Sequence, residues 1–187
     1  MKREVSPYLL ALLAAGFVLW VLPFFLRGPQ SEKPGTIDRR ARWGIALEAV
    51  GFAIVFQPFF WQLHPAGTWR IVLGSMLLAL AVVLSWTGRR ALGKQWRIDA
   101  GLNASHDLIR SGPYRFIRHP IYASMLCLLL GDGLLLSKWW ALLTALAIFL
   151  TGTEVRVHIE DRLLSERFGA GFDAYQQAVR AYIPLLR

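Results

Sequence analysis

Apolar residues run through this chain in long stretches. They do not alternate as in a half-buried strand, and they do not form the one-sided stripe of a soluble amphipathic helix. Pro7–Leu26 holds 20 residues, roughly 30 Å as a helix, enough to cross a hydrocarbon core. Trp43–Leu63 and Thr68–Gly88 hold 21 each, Pro120–Leu136 holds 17 and Trp139–Gly152 holds 14. The last two predict a tight hairpin that crosses at a tilt or is partly re-entrant. The pattern as a whole predicts an all-α integral membrane protein. It has about five hydrophobic helices in a single membrane domain over residues 1–187, with 89–119 and 153–187 left outside the lipid.

Composition supports this. Hydrophobic residues make up 55% and charged residues 18%, with mean hydropathy +0.41, values ordinary for a chain solvated by lipid. The net charge of +9 does not argue for nucleic acid, because the basic residues are spaced between apolar runs and form no single patch. Placing 27–42, 89–118 and 156–187 in the cytoplasm puts 17 of the 21 Lys and Arg inside. That is a strong positive-inside bias, with the N-terminus outside and the C-terminus cytoplasmic. Trp43 and Trp86 then mark the inner interface, and Trp61, Trp69, Trp139 and Trp140 the outer one. The first run is long for a signal peptide and Phe25-Leu26-Arg27-Gly28 is a poor cleavage site, so it is expected to remain as a helix. Short loops and economy of length suggest a bacterial inner membrane. The lone Cys127 lies within an apolar run and reads as a small buried hydrophobe.

Both segments outside the lipid carry residues that do chemistry. From Thr153 the sequence places Val155, Ile159, Leu163 and Leu164 on one helical stripe, while Arg156 and Glu160, four apart, share a neighbouring face. On spacing alone this pair reads as an exposed ion pair worth a few tenths of a kcal/mol. Phe168-Gly169 predicts a glycine-capped end. A last helix is expected over Phe172–Ala181, stopped at Ile183-Pro184. The glycines at 169 and 171 mimic a dinucleotide motif, but they follow a helix and lack the βαβ context.

The other segment runs from His106-Asp107-Leu108-Ile109 through Ser111-Gly112-Pro113-Tyr114-Arg115 to Arg118-His119-Pro120-Ile121-Tyr122. Ser-Gly-Pro-Tyr is turn chemistry, and Pro120 suits the first position of a helix. Two histidines, two tyrosines and an aspartate at a membrane threshold fit either an interfacial belt with basic anchors or a binding site. No metal site is expected, since no His-x3-His or cysteine partner exists and His64 falls on the opposite side.

Gly-Pro-Tyr-Arg-x-x-Arg-His-Pro-x-Tyr, with His-x-Leu-Ile just upstream, resembles the isoprenylcysteine carboxyl methyltransferase family and the related phospholipid methyltransferases. Arg156-x-x-x-Glu160-Asp161-x-x-Leu164 resembles that family's Arg-x-x-x-Glu-Glu element, and Phe168-Gly169 through Tyr175 to Ile183-Pro184 is similar to its ending. The resemblance covers roughly residues 90 to 187. It implies a non-Rossmann membrane methyltransferase using S-adenosyl-L-methionine. By position it implies that His106, Asp107, Leu108, Ile109, Tyr114, His119, Pro120, Ile121, Tyr122 and Glu160 line the cofactor, and that Arg156 touches the methyl acceptor. The sequence departs from the family at Ser124, where glycine is usual, at Asp161, which replaces a second glutamate, and at Asp99, where eukaryotic members have glutamine.

The chemistry implied is specific. Glu160 would accept from the cofactor's ammonium. His119, Arg118 or backbone amides would hold its carboxylate, and the ring of Tyr114 or Tyr122 would face the sulfonium. A carboxylate acceptor is ionised at neutral pH and needs no base, whereas an amine would need one, with His119 and His158 as candidates. The acceptor is expected to be a lipophilic small molecule, a prenylated group or a membrane lipid. O-methylation of an isoprenylcysteine-like carboxylate is the first reading and lipid N-methylation the second. A non-catalytic membrane scaffold that keeps the fold is the competing class. Elsewhere, Glu48 is expected to snorkel or pair with Arg42, Asp132 to be solvated or to form a turn, and Gln57 with Pro58 to satisfy a kinked backbone.

Overall fold

The computed structural model describes residues 6–26, 34–64, 66–98, 100–103 and 106–182, with the backbone alone at 34–36 and 103. Helices dominate it: α1 (Pro7–Phe25), α2 (Ala41–Phe56), α3 (Thr68–Leu92), α4 (Pro120–Leu136), α5 (Trp139–Phe168) and α6 (Ala170–Ala178). Short 3-10 turns lie at Pro58–Phe60, Gly93–Gln95 and Gly112–Arg115. Two short strands, β1 (Pro34–Ile37) and β2 (Gly101–Asn103), pair antiparallel. They join the entry of α2 to the segment after α3. Nothing in the sequence pattern announces them, because three or four residues are too few to show alternation.

Three helical segments, Pro7–Phe25, Thr68–Gln95 and Trp139–Phe168, are long and apolar enough to cross a membrane by length and composition. The apolar α4 is shorter, at 17 residues. Two expected boundaries move. The helix expected over 43–63 stops at Phe56, where Pro58 removes a donor and restricts the residue before it. Gln57 therefore caps a broken helix and does not bridge a kinked one. The run expected to end at Gly152 continues to Phe168 as one 30-residue helix, about 45 Å long, more than a hydrocarbon core spans. Its second half thus projects beyond the apolar layer. Gly169, at φ +51°, ends it as expected. The last helix lies at 170–178, slightly earlier than read, and Ile183-Pro184 falls outside the described residues.

The bundle is built on two close antiparallel pairs. In α2/α5, a Cβ on Gly44 would meet Gly152 O at 2.6 Å, and one on Gly51 would meet Ala145 O at 3.0 Å. In α3/α4, a Cβ on Gly74 would meet Leu135 Cγ at 2.8 Å, while Gly88 faces Pro120. Small residues let these backbones approach where lipid gives little hydrophobic drive. Helix α1 packs beside α3, with Leu13 and Leu78 in one apolar cluster. The Trp86 indole donates to Leu19 O (2.9 Å), and Trp20 of α1 reaches Ser124 Oγ on α4 (3.0 Å).

One end carries the expected aromatic belt. Trp69 stacks on Trp139 at 5.8 Å, Phe60 meets Trp140, and Trp61 bridges to Ser137. Arg70 there donates to Leu134 O (2.6 Å) and Ser137 O (2.7 Å), satisfying carbonyls that a helix end leaves orphaned. Asp132 contradicts its expected role. It is 1% exposed inside α4, and neither carboxylate oxygen has a hydrogen-bond partner among the described residues. The helix continues through Gly131 and Gly133, so those glycines serve packing and not a turn.

Candidate active site

At the opposite end the polar threshold of α4 meets the projecting half of α5. The approach is a 3-10 turn, Gly112–Arg115, started by Gly112 at φ +60° and followed by Pro113. Pro120 opens α4 at a position whose missing N–H costs nothing. His119 precedes it, and the backbone here is clamped from behind. Arg118 N donates to Arg180 O and His119 N to Ala181 O, both at 2.7 Å. The Tyr175 hydroxyl donates to Tyr114 O at 2.5 Å. The ending of the chain therefore fixes the motif that lies sixty residues earlier.

Arg156, Glu160 and Asp161 come from successive turns of α5. Asp161 accepts from Arg118 Nη2 at 2.8 Å and sits 2.9 Å from His119 Nε2. The other imidazole nitrogen, Nδ1, lies 3.4 Å from Glu160 Oε2. Burial alone would depress the His119 pKa, but the Asp161 and Glu160 carboxylates hold it up, to about 9. His119 is thus an imidazolium between two acids at neutral pH. Glu160 also accepts from the Tyr122 hydroxyl, yet a quarter of its side chain stays accessible.

Arg156 does not pair with Glu160. Its Nη1 donates to Glu48 Oε2 at 2.7 Å, its Nη2 to Ile98 O at 3.0 Å, and its guanidinium lies 4.7 Å over the Tyr122 ring. Glu48 neither snorkels nor meets Arg42. It is 2% exposed, and its second oxygen accepts from Thr153 at 3.1 Å. A buried carboxylate needs such partners. A lone acid among apolar residues, at the period of Ala41, Gly44, Gly51 and Val55, was the available signal.

Glu48, Arg118, His119, Tyr122, Arg156 and Glu160 share one cavity of about 660 Å3, within the range of small-molecule sites. Of the residues expected at the site, His106, Asp107, Leu108, Ile109, Tyr114, His119, Ile121, Tyr122, Glu160 and Arg156 all line it. Pro120 does not; it packs on Gly88 and shapes the helix start. Asp107 accepts from Gln95 at 3.3 Å. Burial lowers the His106 pKa, favouring its neutral form. His158, a candidate base by sequence, is 68% exposed and bonded to Glu154 O in a separate shallow groove. Asp99 lies outside the described residues. Ser124 does not meet the cavity; its hydroxyl donates to Ile121 O (2.6 Å) and accepts from Trp20.

The cavity has two characters. One sector holds the charged cluster. The other is apolar and comes largely from residues that the motifs did not flag: Phe17, Trp20 and Phe24 of α1, Phe52 of α2, Met125 and Leu128 of α4. Trp20, Phe24 and Trp96 form a ring ladder with centroids 5.4 and 5.3 Å apart.

This combination agrees with what the chain is similar to. Residues 69–171 match the phospholipid methyltransferase family. The chain belongs to that family. Among its relatives is a probable protein-S-isoprenylcysteine O-methyltransferase of Oryza sativa subsp. indica, 26% identical over 142 residues, 75% of this chain and 72% of the rice protein. The protein-S-isoprenylcysteine O-methyltransferase of Schizosaccharomyces pombe is 29% identical over 84 residues, 45% of this chain and 36% of that one. The nickel-cobalt-cadmium resistance protein NccN of Alcaligenes xylosoxydans xylosoxydans is 30% identical over 142 residues, 66% of each chain. The relatives support the isoprenylcysteine carboxyl methyltransferase branch named by the motifs. The family match includes the threshold of α4 and the charged face of α5, but it begins after α1 and α2.

Proposed function

We propose that this protein is an S-adenosyl-L-methionine-dependent methyltransferase acting on a lipophilic acceptor that enters from the bilayer. The observation that carries the reading is the joining of Glu160 and Arg156 in one cavity with an apolar aromatic sector. Residues and cofactor fit chemically. Glu160, partly accessible and held by Tyr122 and His119, is oriented to accept from an α-ammonium. Arg118 keeps a buried Nε without a partner among the described residues, a donor suited to a carboxylate. When bound, the cofactor supplies a methyl carbon already activated by its sulfonium. The protein's own work is then positioning and exclusion of water. Arg156 Nε is likewise buried and unpartnered, and it would aim the acceptor.

The first acceptor reading is an isoprenylcysteine-like carboxylate, which is ionised and needs no general base. That suits a site whose His119 is held protonated. The amine reading stays as the second, because His106 lines the cavity and burial favours its neutral form. The positive-inside bias supports a single membrane domain with its cavity toward the cytoplasm, where the cofactor is made, and its N-terminus outside. A bacterial inner membrane is the proposed location.

Calorimetric titration of detergent-purified protein with S-adenosylhomocysteine tests the class. Labelled-methyl transfer to a native membrane lipid extract and to a prenylcysteine analogue tests the acceptor. Binding together with an incorporated label is expected. No binding, with a Glu160→Ala variant behaving as wild type, would return the protein to the scaffold class.

A further inference from the structure

We infer that Glu48 is a positioning residue that holds Arg156 away from Glu160, so that the acceptor-aiming cation and the ammonium-binding acid stay separate. The inference rests on the methyltransferase reading, and it assigns a part in the site to α2, which lies outside the family match.

Arg156 and Glu160 lie four apart on α5, the spacing at which opposite charges pair on a helix. They are not paired here, although both line the same cavity. Helix α2 supplies the reason. Glu48 takes Nη1 at 2.7 Å. Thr153, a turn before Arg156 on α5, fixes the other oxygen of Glu48 at 3.1 Å. Gly44, a turn before Glu48, leaves the space in which the arginine stem lies, since a Cβ there would sit 2.5 Å from Arg156 Cγ. Stem and head are therefore both held by α2, and Ile98 O takes Nη2.

Remove the Glu48 charge, and a buried guanidinium is left short of an anion in a low-dielectric site, which is strongly unfavourable. The nearest remedy on its own helix is Glu160. Glu160 would then be drawn from the place where it receives the cofactor's ammonium. Loss of a residue in α2 should thus appear as weakened cofactor-product binding, and a second change that removes the arginine should relieve it. A merely structural ion pair would also be relieved when both charges are removed, but its loss and relief would appear in the melting temperature, with the S-adenosylhomocysteine affinity of the folded variants left like wild type.

The test is titration with S-adenosylhomocysteine of full-length wild type, Glu48→Leu, Arg156→Leu and the Glu48→Leu/Arg156→Leu double variant. Each is first checked for helical content and a single size-exclusion peak. Glu48→Leu should weaken binding at least tenfold, and the double variant should return to within threefold of wild type while remaining inactive in methyl transfer. A single variant binding like wild type, or a double variant binding as weakly as the single, overturns the inference. Should Glu48→Leu fail to fold, Glu48→Gln alone and with Arg156→Leu carries the same comparison. Wild-type protein that binds no S-adenosylhomocysteine removes the methyltransferase reading itself, an outcome distinct from failure of the Glu48 assignment.

Discussion

His119 and Asp161 meet at 2.9 Å, imidazole Nε2 to carboxylate Oδ1, and Arg118 reaches the same carboxylate at 2.8 Å. Asp161 looks like a departure from the family in sequence, yet it anchors two cations at the start of α4. Asp161→Ala would leave Arg118 without its carboxylate and His119 with Glu160 alone, in a buried setting. It should destabilise the protein by about 3 kcal/mol, the scale for breaking a buried pair from one side. Denaturation in detergent reads this. An Asp161→Ala variant melting within a degree of wild type would show that the ion cluster contributes nothing to the fold.

The same cluster sets a pH dependence. Burial works against the charged imidazole, but the two acids prevail and raise the His119 pKa from 6.5 to about 9. A group whose folded pKa lies above its unfolded value contributes stability in full below the unfolded pKa, and that contribution is lost as pH rises through the folded one. Stability should therefore be level below about 6.5 on this account, decline between about 6.5 and 9, and be level again once the contribution is lost above about 9. His119→Gln should remove that decline while lowering stability at neutral pH. Denaturation midpoints across the range decide it, and an alkaline decline equally steep in the variant would assign it elsewhere.

Much of this was legible in the chain, for identifiable reasons. The apolar runs fixed the existence of the helices, because a membrane imposes a length. The threshold motif and Arg156/Glu160 pointed to the site because their residue types are unusual beside lipid. The partner of Arg156 was not legible. Glu48 is 108 positions away, and only the Gly44/Gly152 crossing makes them neighbours. The apolar wall from Phe17, Trp20 and Phe24 was equally hidden, since every spanning helix is apolar all round and does not disclose which face lines a cavity. Asp132 was misread because a Gly-Asp-Gly run signals a turn in water but permits close packing inside a bundle.

Arg156 and Glu160 should separate kinetically. Arg156→Ala is expected to leave S-adenosylhomocysteine affinity within about threefold of wild type and to reduce methyl transfer at least a hundredfold, a loss of about 2.7 kcal/mol in transition-state stabilisation. Glu160→Gln should weaken S-adenosylhomocysteine by about tenfold, as expected for loss of one charge-assisted bond. Calorimetry paired with label incorporation checks both. Loss of S-adenosylhomocysteine binding in Arg156→Ala, with Glu160→Gln unaffected, would reverse the two roles.

The crossing of α2 and α5 offers the strictest test of how packing holds the site. A Cβ on Gly152 would lie 2.6 Å from Gly44 O, 2.9 Å from Leu47 Cβ and 3.0 Å from Glu48 N. Two of these are backbone atoms that cannot rotate aside, so Gly152→Ala must push the helices apart at a cost of about 1–3 kcal/mol. The displaced backbone includes Glu48 itself. The substitution should therefore lower the melting temperature and also loosen the Arg156 hold, reducing transfer more than the loss of folded protein accounts for. Gly16→Ala is the matched control. Its Cβ would meet Leu78 at 3.5 Å, an ordinary contact, and its stability should stay within about 0.5 kcal/mol of wild type. If Gly152→Ala melts and turns over like Gly16→Ala, α2 and α5 are not held together at this point, and the alignment of Arg156 must come from Ile98 and Tyr122 alone.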